Sequence, residues 1–255
     1  MDLGFTHIQI SFDGDEENHN KTRFLKGNKV GTFAKIIDNL DNLVRQTPDD
    51  FKIDLRINVN KENENDFAAL YKKLIQRYGT QKINPYPGFI RETSKDGCKM
   101  CYKSLFNTKR FQFYKKIEGE GVPVDFFPHI DLQKGCMVNW NNSFIIGPSG
   151  EMYKCWNDFN SPEKIIGYIQ DKKLTNPSLV CHYLYDTSIY NTPKCKRCRL
   201  FPICDGGCQW LKYKNIFENK QYDTCCFLNN QRVLEDCLSY NAEKHKENIH
   251  KVSAI

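Results

Sequence analysis

No stretch of the chain reaches the roughly 18 uninterrupted apolar residues that a membrane span needs, and Met1-Asp2-Leu3-Gly4 leads into no charged-then-apolar secretion signal. A cytoplasmic protein with no membrane partner is expected. Charge of one sign is also scarce. The 37 Lys and Arg against 31 Asp and Glu leave +6, spread along the chain rather than massed, so no nucleic-acid partner is expected either. Internal repeats and low-complexity tracts are absent. With 40% hydrophobic and 27% charged residues, the composition suits a globular core and excludes disordered or collagen-like architectures. No two of the six histidines stand at a spacing that would let them share a metal on a helix. Cysteine is missing too, but only from the first 97 residues.

All twelve cysteines follow that point, and nine of them fall between Cys136 and Cys226. Such segregation implies a dedicated site. Twelve thiols could make six disulfides in a secreted chain, whereas a reducing cytosol favours metal ligation.

The cysteine-free part reads as alternating strands and helices. THIQISF (Thr6 to Phe12) alternates and stops at Asp13-Gly14, and FKIDLRINV (Phe51 to Val59) is a second strand, with a third starting near Ile83. Between them, Phe33, Ile36, Ile37, Leu40, Leu43 and Val44 recur at helical spacing behind a Thr32 cap. A second helix is expected from about Asn65 to Arg77, with Phe67, Leu70, Tyr71 and Leu74 on one face. A further helix from about Lys99 to Ile117 and an apolar run from Val122 to Ile130 complete this part. The alternation predicts an α/β fold with parallel strands, either part of a barrel or an open sheet. A whole eight-unit barrel takes about 250 residues, so about 130 residues before the cysteine-rich part make a partial one at most. Its first strand would leave an unpaired edge, an expected seat for a further segment or partner.

From about Asp131 short segments alternate with Gly, Pro, Asn and Cys, and no helical period persists until Phe227 to Ser239. A loop-rich region of this kind buries too little apolar surface without cross-links, which metal coordination supplies. The expected domains are therefore 1–130, 131–240 and a polar, fraying tail from 241 to 255.

The densest cluster is CKRCRLFPICDGGC, which places Cys195, Cys198, Cys204 and Cys208 as C-x2-C-x5-C-x3-C. A C-x2-C turn brings two sulfurs to one centre, and Gly206 and Gly207 allow the backbone to fold tightly at positive φ. Lys194, Lys196, Arg197 and Arg199 favour thiolates and offset the negative charge of a thiolate-bound cluster. Upstream, Cys136 precedes NSFIIGPSGEMYKC, where Pro148-Ser149-Gly150 reads as a hairpin turn that carries Cys155 back toward Cys136. Cys225 and Cys226 follow downstream. The order C-x13-G-x4-C, gap, C-x2-C-x5-C-x3-C, gap, C offers seven thiolates, which suits two centres.

This pattern resembles the SPASM domain, the twin auxiliary 4Fe-4S module of radical S-adenosylmethionine enzymes, which include anaerobic sulfatase-maturating enzymes and thioether-forming peptide maturases. The resemblance implies a first auxiliary cluster on Cys136, Cys155 and Cys208. It implies a second on Cys195, Cys198, Cys204 and one of Cys225 or Cys226, with Cys226 favoured by the family's spacing. Where some members supply a fourth ligand to the first cluster, this chain has Asn141, Asn142 and Ser143. Either Cys181, Cys98 or Cys101 fills the position, or an iron is left open for a substrate thiolate.

IQISFDG, His19, Arg23, GTFAKIIDNLDNL and LRINVNKEN likewise resemble the second half of the radical enzymes' partial (β/α)6 barrel. By that resemblance the strand-end residues Ser11, Asp13, Arg23 and Asn58 would contact S-adenosylmethionine. Ordinary strand-end hydrogen bonding explains Ser11 and Asp13 equally well. The family's C-x3-C-x2-C loop, which binds the radical-generating cluster, has no counterpart in these 255 residues, and Cys98-Lys99-Met100-Cys101 cannot replace it. The chain by itself is therefore expected not to cleave S-adenosylmethionine. The implied function is that of the C-terminal portion of a peptide-modifying oxidoreductase. Its partners would be a ribosomally made precursor peptide or protein, an N-terminal half on another chain, and an electron donor such as ferredoxin or flavodoxin.

Two other readings compete: a non-catalytic iron-sulfur subunit that transfers electrons or binds a peptide, and a zinc-stabilised interaction module, since four thiolates also suit zinc. Cys181 and Cys237 stand beside apolar residues as buried thiols. His19 is a loop residue, either polar filling or substrate-facing. Trp140, Trp156 and Trp210 lie close to proposed ligands, as shields or as core.

Overall fold

The computed structural model describes residues 4–90, 108–124, 136–204, 206–225 and 229–252. They divide into two compact units, the first ending at Val124.

The first unit runs β1 (His7–Phe12), α1 (Glu16–Thr22), α2 (Phe33–Gln46), β2 (Lys52–Val59), α3 (Phe67–Tyr78), β3 (Ile83–Phe89) and α4 (Thr108–Gly119). The strands pair in parallel in the order β1-β2-β3, as alternation with helices requires. The strand period of two sorts their side chains. Ile53, Leu55, Ile57 and Val59 of β2 are fully buried and pack with Phe12, Phe33, Leu40, Phe67, Leu70 and Leu74. The other face of the sheet carries Gln9 and Ser11 of β1, Asp54, Arg56 and Asn58 of β2, and Asn84 and Tyr86 of β3. A parallel sheet is ordinarily apolar on both faces, and this polar face departs from that rule.

Several local expectations change. Thr32 precedes α2 but makes no side-chain cap; Asn20 Oδ1 accepts the Phe33 N–H instead, at 3.1 Å. His19 sits on α1 rather than in a loop, and it is fully buried. The helix expected from Lys99 is seen as α4, whose Phe113 meets Phe67 and Phe89 edge-on with centroids 5.5 and 5.1 Å away. Residues 91–107, with Cys98 and Cys101, lie outside the described residues, as does most of the run from Val122 to Ile130.

The second unit opens on an antiparallel sheet, β4 (Ile145–Ile146), β5 (Glu151–Tyr153), β6 (Gly167–Tyr168) and β7 (Lys173–Leu174). The hairpin expected at Pro148-Ser149-Gly150 joins β4 to β5, with Ile145 opposite Tyr153 and Ile146 opposite Met152. Then come α5 (Pro177–Cys181), a π turn over His182–Asp186, α6 (Pro193–Lys196), α7 (Gln209–Phe217) and α8 (Gln231–Val252). The core of this unit gathers Val138, Cys155, Ile166, Leu179, Val180, Tyr183, Trp210 and Leu211. Helix α7 escaped the sequence pattern because four successive residues at its start, Gln209 to Lys212, are buried, and a helix enclosed all round shows no apolar stripe. The polar tail from Asn241 is helical to Val252, since the stretch holds no Gly or Pro to stop α8.

Candidate functional site

In the second unit, Cys195 lies on α6, Cys198 and Cys204 on the turns that follow, and Cys225 on the segment after α7. All four border a cavity of about 380 Å³, along with Lys194, Arg197, Arg199 and Lys212. Gly206 and Gly207, at φ +84° and +71°, let the chain turn back from Cys204 to Cys208; a Cβ at Gly207 would run into the carbonyl oxygen of Thr224. Burial pushes the Cys204 thiol up, against the Gly206 N–H that its sulfur accepts at 3.3 Å. Cys226 lies outside the described residues, so Cys225 is the thiol of that pair seen at the cavity.

Cys155 follows β5 and is buried, which pushes its thiol up to about 12, with Cys208 close enough to add to the effect. The two belong to one neighbourhood, for Cys208 packs against the cluster that contains Cys155. Cys136 caps the 3-10 turn Met137–Asn139 and is exposed, two residues before the buried Val138 of that cluster. Cys181 is exposed, not the buried thiol its apolar neighbours suggested; as the last residue of α5 it turns away from Leu179 and Val180. Cys237, on α8, is buried as expected.

Sequence reasoning missed two charged groups beside these thiols. Asp158 is 1% exposed; Tyr183 donates its hydroxyl to Oδ2 at 2.6 Å and Trp210 its indole N–H to Oδ1 at 3.1 Å. Burial pushes its carboxyl up despite both donors. Lys212 is 5% exposed and donates to the Thr187 carbonyl at 3.1 Å and toward Cys195 Sγ at 3.8 Å. No period or motif signals either residue. Of the three tryptophans, Trp210 is buried, while Trp140 and Trp156 are exposed.

In the first unit, three of the four strand-end residues share one network. Arg23 Nε donates to Asp13 Oδ2 at 2.7 Å, Asn58 Nδ2 to Asp13 Oδ1 at 2.6 Å, and Thr22 Oγ1 to Asp13 Oδ2 at 3.0 Å. Burial works against ionisation of Asp13, but Arg23, Asn58 and Thr22 together hold its carboxyl below the usual range. Burial pushes His19 down, and its Nδ1 accepts the Asp13 N–H at 3.1 Å. Asn63, 3% exposed, donates to the carbonyls of Asp13 and Asn58 at 3.1 and 2.9 Å and fixes both strand ends. Ser11 is two residues before Asp13 on the same face, in register with Arg56. Asp54 is taken by His7 and Asn84. Arg56 keeps a solvent-shielded Nε with no hydrogen-bond partner among the described residues. The face thus offers a donor suited to an anionic ligand group.

No family model matches the chain. It is 29% identical over 228 residues to a cysteine-type anaerobic sulfatase-maturating enzyme of Clostridium novyi (strain NT), covering 82% of this chain and 59% of that protein. The chain resembles a radical S-adenosylmethionine maturase. Its fold is similar to solved structures of the enzyme anSMEcpe. With S-adenosylmethionine and the Cp18Cys peptide bound, that enzyme matches at TM-score 0.54 and 16% identity over 96% of this chain and 70% of that one. With S-adenosylmethionine and the Kp18Cys peptide, it matches at TM-score 0.56 and 16% identity over 96% and 69%. The likeness to these maturase structures establishes an α/β fold. The chain spans less than two thirds of the length of the curated maturase it matches. No helix among the described residues is long and apolar enough to cross a membrane.

Proposed function

We propose that this chain is the auxiliary-cluster and substrate-side portion of a radical S-adenosylmethionine maturase that acts on a peptide or protein. The observation that carries the reading is the cavity bordered by Cys195, Cys198, Cys204 and Cys225 with three cationic side chains at its margin. A zinc ion bound by four thiolates sits about 2.3 Å from each sulfur and leaves no cavity. An all-sulfur donor set around a roomy cavity fits a polynuclear iron-sulfur cluster.

In this reading Cys195, Cys198, Cys204 and one of Cys225 or Cys226 hold the second cluster, and Cys136, Cys155 and Cys208 hold the first. Such clusters supply one-electron transfer or an iron that binds a substrate thiolate. The protein's own part is to neutralise these sulfurs: Lys194 pairs with Cys225, and Lys212 with Cys195. On the sheet face of the first unit, Ser11, Asp13, Arg23 and Asn58 would hold S-adenosylmethionine, and the unpaired Arg56 Nε suits its carboxylate. Asp13, fully occupied by Arg23, Asn58 and Thr22, acts by fixing those groups. Since these residues contain no C-x3-C-x2-C, the radical-generating cluster would be held by residues outside them, on the same or another chain.

Anaerobically purified protein should be brown, with about eight iron and eight sulfide per chain for two cubanes. Cys204→Ala should lower both toward half. Colourless protein containing one zinc, or an iron content unmoved by Cys204→Ala, overturns the proposal.

A further inference from the structure

The cations around the thiol cavity are not equivalent. Lys194, Arg197 and Arg199 stand at its margin, whereas Lys212 is buried on α7. Its Nζ has one oxygen partner, the Thr187 carbonyl, and one sulfur partner, Cys195 Sγ; among the described residues no carboxylate pairs with it. Enclosing an ammonium without an anion is costly, and Ile189, Leu200 and Phe201 in the lining show that apolar side chains are tolerated in this wall. Its immediate electrostatic surroundings are Cys195, Cys204 and Cys225. A buried cation retained among thiols is accounted for when those thiols are thiolates around a cluster.

Resting on the two-cluster reading above, we infer that Lys212 is the built-in counter-charge of the second cluster, set there to hold it and to raise its reduction potential. The physical reason is simple. Four thiolates around a [4Fe-4S]2+ core give a net charge of −2, and accepting one electron from a donor makes it −3, with no bond broken and no proton moved. A fixed positive charge near Cys195 stabilises the more negative state. Because it is shielded from solvent, salt screens it little, unlike the marginal Lys and Arg.

The test is an EPR-monitored redox titration of the anaerobically reconstituted chain and of Lys212→Met, Lys212→Gln and Lys212→Arg, with iron and sulfide measured on each sample. At the potential where the wild-type second cluster is half reduced, Met and Gln should lower the reduced-to-oxidised ratio about tenfold, which for a one-electron couple is about 59 mV. Arg should change it less than twofold, and the first cluster should not respond in any variant. Loss of one cluster in Met and Gln but not in Arg supports the same role. An unchanged potential in Met and Gln at full iron content overturns the inference, as does equal cluster loss in all three. Absence of iron and sulfide from the wild-type protein is a different result, which overturns the two-cluster reading itself.

Discussion

Asn63 holds two strand ends at once. Its amide donates to the carbonyls of Asp13 and Asn58 while its Oδ1 accepts the Asn60 N–H at 2.8 Å, all in a nearly water-free setting. Removing the side chain leaves buried carbonyls without donors, at roughly 1–3 kcal/mol for each group left unsatisfied. Asn63→Ala should therefore lower the stability of the first unit by about 3 kcal/mol, read from urea midpoints, and loosen Asp13 and Asn58 together. A change below about 0.5 kcal/mol would mean that the network does not depend on it. At this scale the sequence was informative wherever position in a strand carried the meaning. Asp13 and Asn58 stand at the ends of β1 and β2, and with Arg23 they share one hydrogen-bond network. Asn63, Asp158 and Lys212 were illegible because each owes its role to burial against partners distant in sequence, and nothing local distinguishes a buried Asp or Lys from the many exposed ones.

Between elements, one carboxylate ties α2 to α3. Asp41 on α2 accepts Arg77 Nε at 2.9 Å and Nη2 at 2.5 Å, and the Tyr78 hydroxyl at 2.7 Å, both donors lying on α3. Hydrogen bonds from Arg77 and then Tyr78 lower its carboxyl to about 2. Because the folded value is depressed below the ordinary carboxylate value of about 3.9, the stabilisation is fully present above about pH 4 and disappears as pH falls through about 2. Asp41→Asn should thus be less stable than wild type by an amount constant from pH 7 to 5 and shrinking from pH 4 to 2. The difference is small for so exposed a pair. Urea midpoints at pH 6, 4, 3 and 2 measure it, and a gap that persists undiminished at pH 2 would show that Asp41 acts otherwise. Element by element, the parallel strands and amphipathic α2 and α3 were readable because each has one buried face. The turn Pro148-Ser149-Gly150 was readable from its residues, and Gly150 does adopt φ +85°. Helix α7 was not, since its opening turn is enclosed on every side.

For the molecule as a whole, two separate cores have different sources of stability. The first unit has a conventional one, built on β2 and the faces of α2, α3 and α4. The second has short strands of two or three residues and a small core that includes Cys155, with Cys208 packed against it. If this unit holds the proposed clusters, their binding to its folded form adds stability by linkage. Heating iron-free and iron-loaded protein under nitrogen should therefore give one transition that shifts with loading and one that does not. The chain's three tryptophans assign them, because Trp140, Trp156 and Trp210 all belong to the second unit. Their fluorescence should follow the loading-dependent transition alone, while far-UV circular dichroism follows both. A tenfold or greater excess of an iron chelator over protein should then convert the loaded pattern to the iron-free one and leave the first unit's midpoint in place. Coincident transitions by both probes, moving together with iron, would mean that the two cores unfold as one and that the cysteine-rich unit does not depend on its metal for a separate stability.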